Sequence, residues 1–290
     1  MASEQAQGEP TGLKATKGIE LLTYGTPNGY KASIMLEELK AAYPGFDYTW
    51  QSIDISKNTQ KEPWFTELCP NGRIPVIIDH DRTGVDGKKV TVWEGIAILG
   101  YLGRRYDPDH KFSFEVGSDE YDEAEVWMGW QHGGVGPMQG QAGHFTLLSP
   151  QKIPYAAQRY VGETERLYGI LDKRLSSGRD FVAGSGRGRF SVADMALLGW
   201  ADAAKIASVD VPGMFPNVQA WLERCFERGG VKKGLEVPRK SPFSLDPEGE
   251  EFRMLAEKIP FVKALPERMT KSREFVKNAK EEFGYVYASP

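Results

Sequence analysis

A chain of 290 residues, 40 % apolar and 26 % charged, has the length and composition of two ordinary globular domains with buried cores. Its formal net charge of −4 gives no electrostatic pull toward nucleic acid or an anionic membrane, and no run approaches the ~18 apolar residues of a membrane span. Cys69 and Cys225 lie far apart, and His80, His110, His132 and His144 follow no ligand spacing, which excludes a disulfide framework, disfavours a metal site and suits a reducing compartment.

In chain order, residues 1–18 are polar and rich in small residues, with no apolar core of a signal peptide. They are expected to form a disordered, non-secretory lead-in. Ile19 to Tyr24 reads as a short strand ending in the turn cluster Gly25-Thr26-Pro27-Asn28-Gly29. A helix follows over Lys31 to Ala42, with Ile34, Met35, Leu36 and Leu39 at helical spacing and Pro44-Gly45 as its stop. Tyr48 to Ile55 alternates like a second strand, and Pro63 to Leu68 suggests a short helix. Ile74 to Ile78 and Lys89 to Trp93 are strands separated by a polar turn, Asp79 to Lys88, and Glu94 to Arg105 is a helix. This βαβ(α)ββα order over residues 19–107 is that of a thioredoxin-like domain.

The linker from Tyr106 to Ser118 is the expected domain boundary. Beyond it Asp119–His132, Pro154–Leu175, Val192–Ile206 and Val218–Phe226 are all helical in pattern, which makes residues 118–237 an all-helical domain. Residues 238–290 are set apart as a proline-punctuated C-terminal extension with two amphipathic stretches, Gly249–Lys258 and Glu267–Phe283. Packing over a dimer, packing beside the substrate pocket and a solvated appendage are all open for it.

Four stretches carry chemistry. In Asn71-Gly72-Arg73-Ile74-Pro75-Val76 a proline opens a strand, the position of a cis-proline in thioredoxin-like folds, and it would leave the Ile74 backbone free to pair with an extended peptide. Glu94 and Gly95 open a helix whose N–H groups and dipole favour a bound carboxylate, while the Glu94 side chain suits an ammonium. Thr26-Pro27-Asn28-Gly29 stands where thioredoxin-like enzymes carry reactive cysteines. With none here, a thiol must be borrowed, and backbone N–H groups with the Asn28 amide could stabilise its thiolate. Ser191-Val192-Ala193-Asp194 has the form of a capping box and is expected to serve folding. On the residues alone the first three also read as plain turn, junction and first-turn acid. Trp127, Trp130, His132, Met138, His144 and Phe145 surround a Gly-rich helix interruption and suit a flat apolar ligand, though the tryptophans equally read as core.

These pieces, in this order, resemble the glutathione transferases. Thr26-Pro27-Asn28-Gly29, the run from Trp130 to Gln141, Ile153 to Ala156, Arg159-Tyr160 and Glu163 to Tyr168 are similar to the nu class, which includes bacterial glutathione-dependent disulfide-bond oxidoreductases and a fungal nitrogen regulator. The likeness spans Ile19 to Leu235. It implies an α/β thioredoxin-like N-terminal domain plus an all-α glutathione-transferase C-terminal domain, in a cytoplasmic homodimer that uses glutathione as co-substrate and no metal. Thr26 and Asn28 would then position and activate the sulfur. Gln60 would touch the glycine end, Ile74 beside Pro75 the cysteinyl backbone, and Glu94 with Gly95 the γ-glutamyl end, while Arg159 would reach in from the helical domain.

The family usually has serine where this chain has Gly95, so Gly95→Ser is expected to fold at least as well and to bind glutathione more tightly. The expected function is attack by an activated glutathione thiol on an electrophile, disulfide or peroxide, in detoxification or secondary metabolism. The alternative is a non-catalytic glutathione-binding or regulatory protein that keeps the fold.

Overall fold

The structure, a computed structural model, describes residues 10–242 and 245–286. The chain divides into two compact units, Met1–Ser113 with Arg228–Lys240, and Phe114–Glu227 with Ser241–Pro290.

The first unit is built on a four-stranded sheet in the order β2-β1-β3-β4: β1 (Ile19–Thr23), β2 (Tyr48–Ser52), β3 (Val76–Thr83) and β4 (Lys89–Trp93). β1 runs parallel to β2 and antiparallel to β3, which pairs antiparallel with β4. Every residue of β1 is buried, as a central strand covered on both faces requires. Helices α1 (Pro27–Ala42) and α3 (Gly95–Tyr106) pack together, while α2 (Pro63–Leu68) lays Phe65 on Leu22, Val76 and Ile78.

The expected elements are all present, with differences in extent. β2 ends at Ser52 rather than Ile55, because Asp54 accepts the Ser56 N–H and caps a 3₁₀ turn over Ile55–Lys57. α1 begins at Pro27, because proline is pre-set for a first helical position and Thr26 caps it. β3 runs on through the stretch read as a turn, because its polar residues find partners inside. Tyr101 and Tyr106 donate to Asp79 at 2.6 and 2.5 Å, and His80 pairs with the buried Glu20 at 2.9 Å. The lead-in is tied down where it is described. Lys14 and Ala15 donate backbone N–H groups to Glu20 at 2.9 and 3.1 Å, and Gln51 donates to the Gly12 carbonyl at 3.0 Å. Residues 1–9 lie outside the described residues.

In the second unit α4 (Asp119–Trp130), capped by Ser118, continues through a π-helical segment Gln131–Val135 into α5 (Gly136–Gly143) and a second π-helical segment His144–Leu148. Such wide turns recur at functional sites. The Gly-rich interruption is thus a helix with two bulges, and its glycines permit close packing. A β-carbon on Gly136 would lie 3.4 Å from the Trp200 ring, and one on Gly143 3.2 Å from Ile206.

α6 (Pro154–Ser176), α7 (Val192–Asp202), α8 (Val211–Met214) and α9 (Pro216–Phe226) complete the bundle around Trp221, Tyr168, Leu171 and Leu198. The capping box forms as expected, with Ser191 and Asp194 satisfying each other's backbone at the head of α7. On α6, Asp172 accepts from Asn217 and Val218 and so caps α9.

The chain then rejoins the first unit. α10 (Gly229–Gly234) lies on α1 so closely that a β-carbon on Gly234 would fall 2.5 Å from the Ile34 Cα. Ser33 donates to the Gly234 carbonyl at 2.7 Å, and Arg228 clamps the buried Glu38 with two bonds of 2.7 and 2.8 Å. The sequence reading gave residues up to 237 to the helical domain, but Arg228–Lys240 belongs to the sheet's unit, because the glycine-faced α10 covers the apolar back of α1.

From Ser241 the chain returns to the second unit as α11 (Glu250–Lys258), α12 (Pro260–Lys263) and α13 (Leu265–Glu282). Phe252, Val262 and Leu265 form a core with Leu147. On α6, the buried Glu165 accepts Lys280, and the Gly162 carbonyl accepts the Tyr285 hydroxyl at 3.0 Å. The extension is therefore a packed layer.

Candidate functional site

The first unit gathers its candidate residues at the end of the sheet where β1 runs out. Thr26, extended at φ −135° and ψ 158°, turns its hydroxyl oxygen to the Gly29 N–H at 3.1 Å, which leaves the hydroxyl proton available for donation. Gly29 has no alternative, since a β-carbon there would lie 2.2 Å from the Tyr24 carbonyl oxygen and 2.6 Å from the Thr23 hydroxyl. The Pro-Asn-Gly turn therefore has a shape only glycine allows, and that shape projects the exposed Asn28 from the first turn of a 16-residue helix. The positive end of the helix dipole and the first-turn N–H groups face the same space.

Next to this turn, the Ile74–Pro75 peptide is cis, with Ile74 half-buried just before β3. Gln60 sits in a 3₁₀ turn, buried to 7 % exposure, with its amide oxygen lacking a hydrogen-bond partner. A buried acceptor left in that state is uncommon and suits a ligand donor.

Glu94 precedes α3 at φ +72°, a left-handed conformation that costs a non-glycine residue on the order of 1–3 kcal/mol. Asn71 holds its carboxylate at 3.2 Å. The opening of α3 thus presents Glu94's carboxylate and Gly95's N–H together.

The sequence reading missed Lys31. It lies on α1 and is only 1 % exposed, and its stem fills the space that a side chain at Gly95 would take. A β-carbon there would be 2.9 Å from Lys31 Cδ and 3.6 Å from Nζ. Burial pushes the Lys31 ammonium pKa down to about 7, opposed by the attraction of Glu94. The signal was present in the sequence, because Lys31 shares the i, i+3, i+4 stripe of Ile34 and Met35. A serine at Gly95 would therefore require the Lys31 stem to shift.

Arg239 was read as the start of the extension. It donates to the Tyr24 hydroxyl and lies over the Tyr24 ring at 4.9 Å, just before the Thr26 turn. Burial raises the pKa of that hydroxyl, while Arg239 opposes the rise.

In the second unit the apolar candidates fall into two groups. Trp127 and Trp130 meet edge to face at 5.2 Å on α4, with Arg174 over the Trp127 ring at 5.7 Å. His144 meets Phe145 edge to face at 5.1 Å, and Phe145 stacks flat on Tyr160 at 5.6 Å. His132 is exposed on the first π segment and Met138 half-buried on α5. Arg159 is exposed on α6 beside Tyr160. No group of His, Cys, Asp and Glu that could hold a metal ion occurs among the described residues.

Comparison with known proteins identifies the family. The family described as "Glutathione S-transferase, N-terminal domain" matches residues 19–104, and "Glutathione S-transferase, C-terminal domain" matches residues 136–229. The chain is 36 % identical to the disulfide-bond oxidoreductase YfcG of Escherichia coli (strain K12), over 75 % of this chain and 94 % of that protein. It is 35 % identical to the glutathione S-transferase-like protein tpcF of Aspergillus fumigatus, over 73 % of this chain and 92 % of that one. Among solved structures, a glutathione transferase homolog from Lodderomyces elongisporus with two GSH per subunit superposes at a TM-score of 0.70. It is 42 % identical and the match covers 77 % of this chain and 99 % of that one. The chain belongs to the glutathione transferase family.

Proposed function

We propose that this glutathione transferase binds glutathione along the edge from Thr26 to Gly95 and activates its thiol for attack on an electrophilic carbon, a disulfide sulfur or a peroxide oxygen. The observation that carries this reading is a thioredoxin-like edge with donors where a thiolate would sit and no thiol of its own. Both cysteines are buried, and Cys69 is turned toward the Arg73 carbonyl.

The ligand's sulfur would lie at the first turn of α1, with Asn28, Thr26 and the helix terminus donating to it. Lowering a thiol pKa from about 8.5 to about 6.5 takes roughly 2.7 kcal/mol, within the reach of one or two hydrogen bonds to an ion plus a helix end. Ile74 would pair with the cysteinyl backbone. Gln60 would take the glycine end, and Glu94 with Gly95 the γ-glutamyl head. The aromatic groups around Trp130 and Phe145 would shape the second-substrate pocket, with Arg159 at its rim. Reduction of a glutathione mixed disulfide has particular support, from the likeness to YfcG and to a Pseudomonas putida transferase solved with one glutathione disulfide bound per subunit.

Asn28→Ala should raise the pKa of bound glutathione by one unit or more and slow turnover at neutral pH by about threefold or more. Ultraviolet titration of the thiolate measures the shift, and an unchanged pKa removes Asn28 from the reading. Turnover with an aryl halide, a glutathione mixed disulfide and an organic hydroperoxide decides between the reactions, and inactivity with all three in a protein that binds glutathione would favour the regulatory alternative.

The reading also includes a homodimer in the cytoplasm. Among the described residues no helix is long and apolar enough to cross a membrane. Sedimentation at micromolar concentration should give twice the 32.3 kDa chain mass, and a clean monomer would refute the dimer.

A further inference from the structure

We propose that Lys31 selects the α-carboxylate of the γ-glutamyl head group, supplying from beneath the opening of α3 the positive charge that complements Glu94. The proposal rests on the glutathione-binding reading above. Three observations meet at one place.

Gly95 offers the bound ligand only a backbone N–H, and the absence of a side chain lets Lys31 approach. Its ammonium stands 3.6 Å from the point where a β-carbon would be. Glu94, the residue just before, carries a carboxylate fixed by Asn71 and is the charged group facing Lys31 from α3. Two turns further along α1, where α10 packs, Glu38 and Arg228 are paired with each other.

A helix opening with one cation behind it and one anion beside it complements a carbon that bears both a carboxylate and an ammonium. The γ-glutamyl head of glutathione has that arrangement. A buried ammonium is costly, so a lysine kept there needs a compensating anion. Glu94 supplies part of that compensation, and a ligand carboxylate over Gly95 supplies more. Because Lys31 is nearly fully covered, it acts as a positioning charge under the Gly95 backbone, and its effect should follow the charge of the ligand.

The test is calorimetry on the full chain with three peptides. They are glutathione, γ-aminobutyryl-Cys-Gly, which lacks the α-carboxylate, and glutaryl-Cys-Gly, which lacks the α-amine. Lys31→Met should weaken glutathione and the glutaryl peptide about tenfold and leave the γ-aminobutyryl peptide unchanged, since hydrogen bonds and charges at an ion are worth at least that factor. Equal weakening of all three would make Lys31 a mere prop. Weakening confined to peptides that keep the amine would place its action on Glu94. Either result overturns the proposal.

A second readout uses the unaltered protein. S-methylglutathione binding between pH 7 and 8, measured in buffers of different ionisation enthalpy, should take up protons, because the ligand carboxylate favours charged Lys31. The S-methylated γ-aminobutyryl peptide should take up none, and identical proton uptake by both ligands would refute the assignment even if the variant failed to fold. A parent protein that binds no glutathione would instead refute the functional reading itself.

Discussion

Alanine in place of Asp194 should cost about 4 kcal/mol of folding stability, a large share of the roughly 5–15 kcal/mol that a domain has. The Asp194 carboxylate is fully buried and serves four donors from three places in the second unit. One oxygen accepts the Val182 N–H at 3.0 Å and the Trp221 indole N–H at 2.8 Å. The other accepts the Ser191 N–H at 3.0 Å and its hydroxyl at 3.3 Å. Burial pushes this carboxyl up to about 6, so it is still ionised at neutral pH and able to accept all four bonds.

Removing it leaves three N–H groups in the core without an acceptor, at about 1–3 kcal/mol each before relaxation, one of them the Ser191 N–H of the α7 capping box. Asparagine should recover less than half of the loss, because its NH₂ would meet the Ser191 N–H donor to donor. Urea denaturation of parent, Asp194→Ala and Asp194→Asn measures the series. A loss under about 1 kcal/mol for alanine would mean that other acceptors reach these donors.

The second large effect has the opposite sign. Lys31→Met should stabilise the ligand-free protein at pH 7 by about 1–3 kcal/mol while weakening its hold on glutathione. The Lys31 pKa is about 7 in the folded chain, against 10.5 for an ordinary lysine. The folded state therefore binds fewer protons than the unfolded state between those values, and stability must rise with pH across that window. The cost of the buried charge is fully present below pH 7 and is relieved as pH climbs toward 10.5, by an amount of about 5 kcal/mol in all.

Methionine has no proton to lose, so the advantage of the variant over the parent should shrink steadily from pH 7 to pH 10. Taking the difference between the two proteins cancels the other titrating groups. A difference that stays flat with pH would show that Lys31 is not a buried cation. The half-buried Glu94 keeps its bond from Asn71 in the variant, which limits the penalty for losing its partner.

What the sequence made legible was local. The stop at Pro44-Gly45, the capping box at Ser191 and the strand-helix order each depend on neighbours a few residues away, and each is found. The misses depend on distant partners. Asp79 to Asp81 looks like a turn until Tyr101 and Tyr106 arrive from α3, and residues 228–240 look like the end of a helical domain until α10 meets α1. The extension shows its amphipathic faces in sequence, but not that Leu147 and Glu165 receive them. The site was readable as motifs at Thr26, Ile74 and Glu94. Lys31 escaped because its place on the apolar stripe signals burial alone, while the glycine it faces lies on a distant helix.

The return of Arg228–Lys240 to the sheet's unit also bears on how the molecule is made. The ribosome releases the strands and α1 to α3 early, but the piece that covers Ser33, Ile34 and Glu38 is more than a hundred residues downstream. At about 5–20 residues per second, the nascent first unit waits on the order of ten seconds with that helix face bare. Through that interval the apolar back of α1 is open to chaperones and to other nascent chains. A fragment ending near Ser113 would keep it open indefinitely, so fragments cut at the apparent linker should aggregate, while one that supplies residues 228–240 through a short artificial linker should stay in solution.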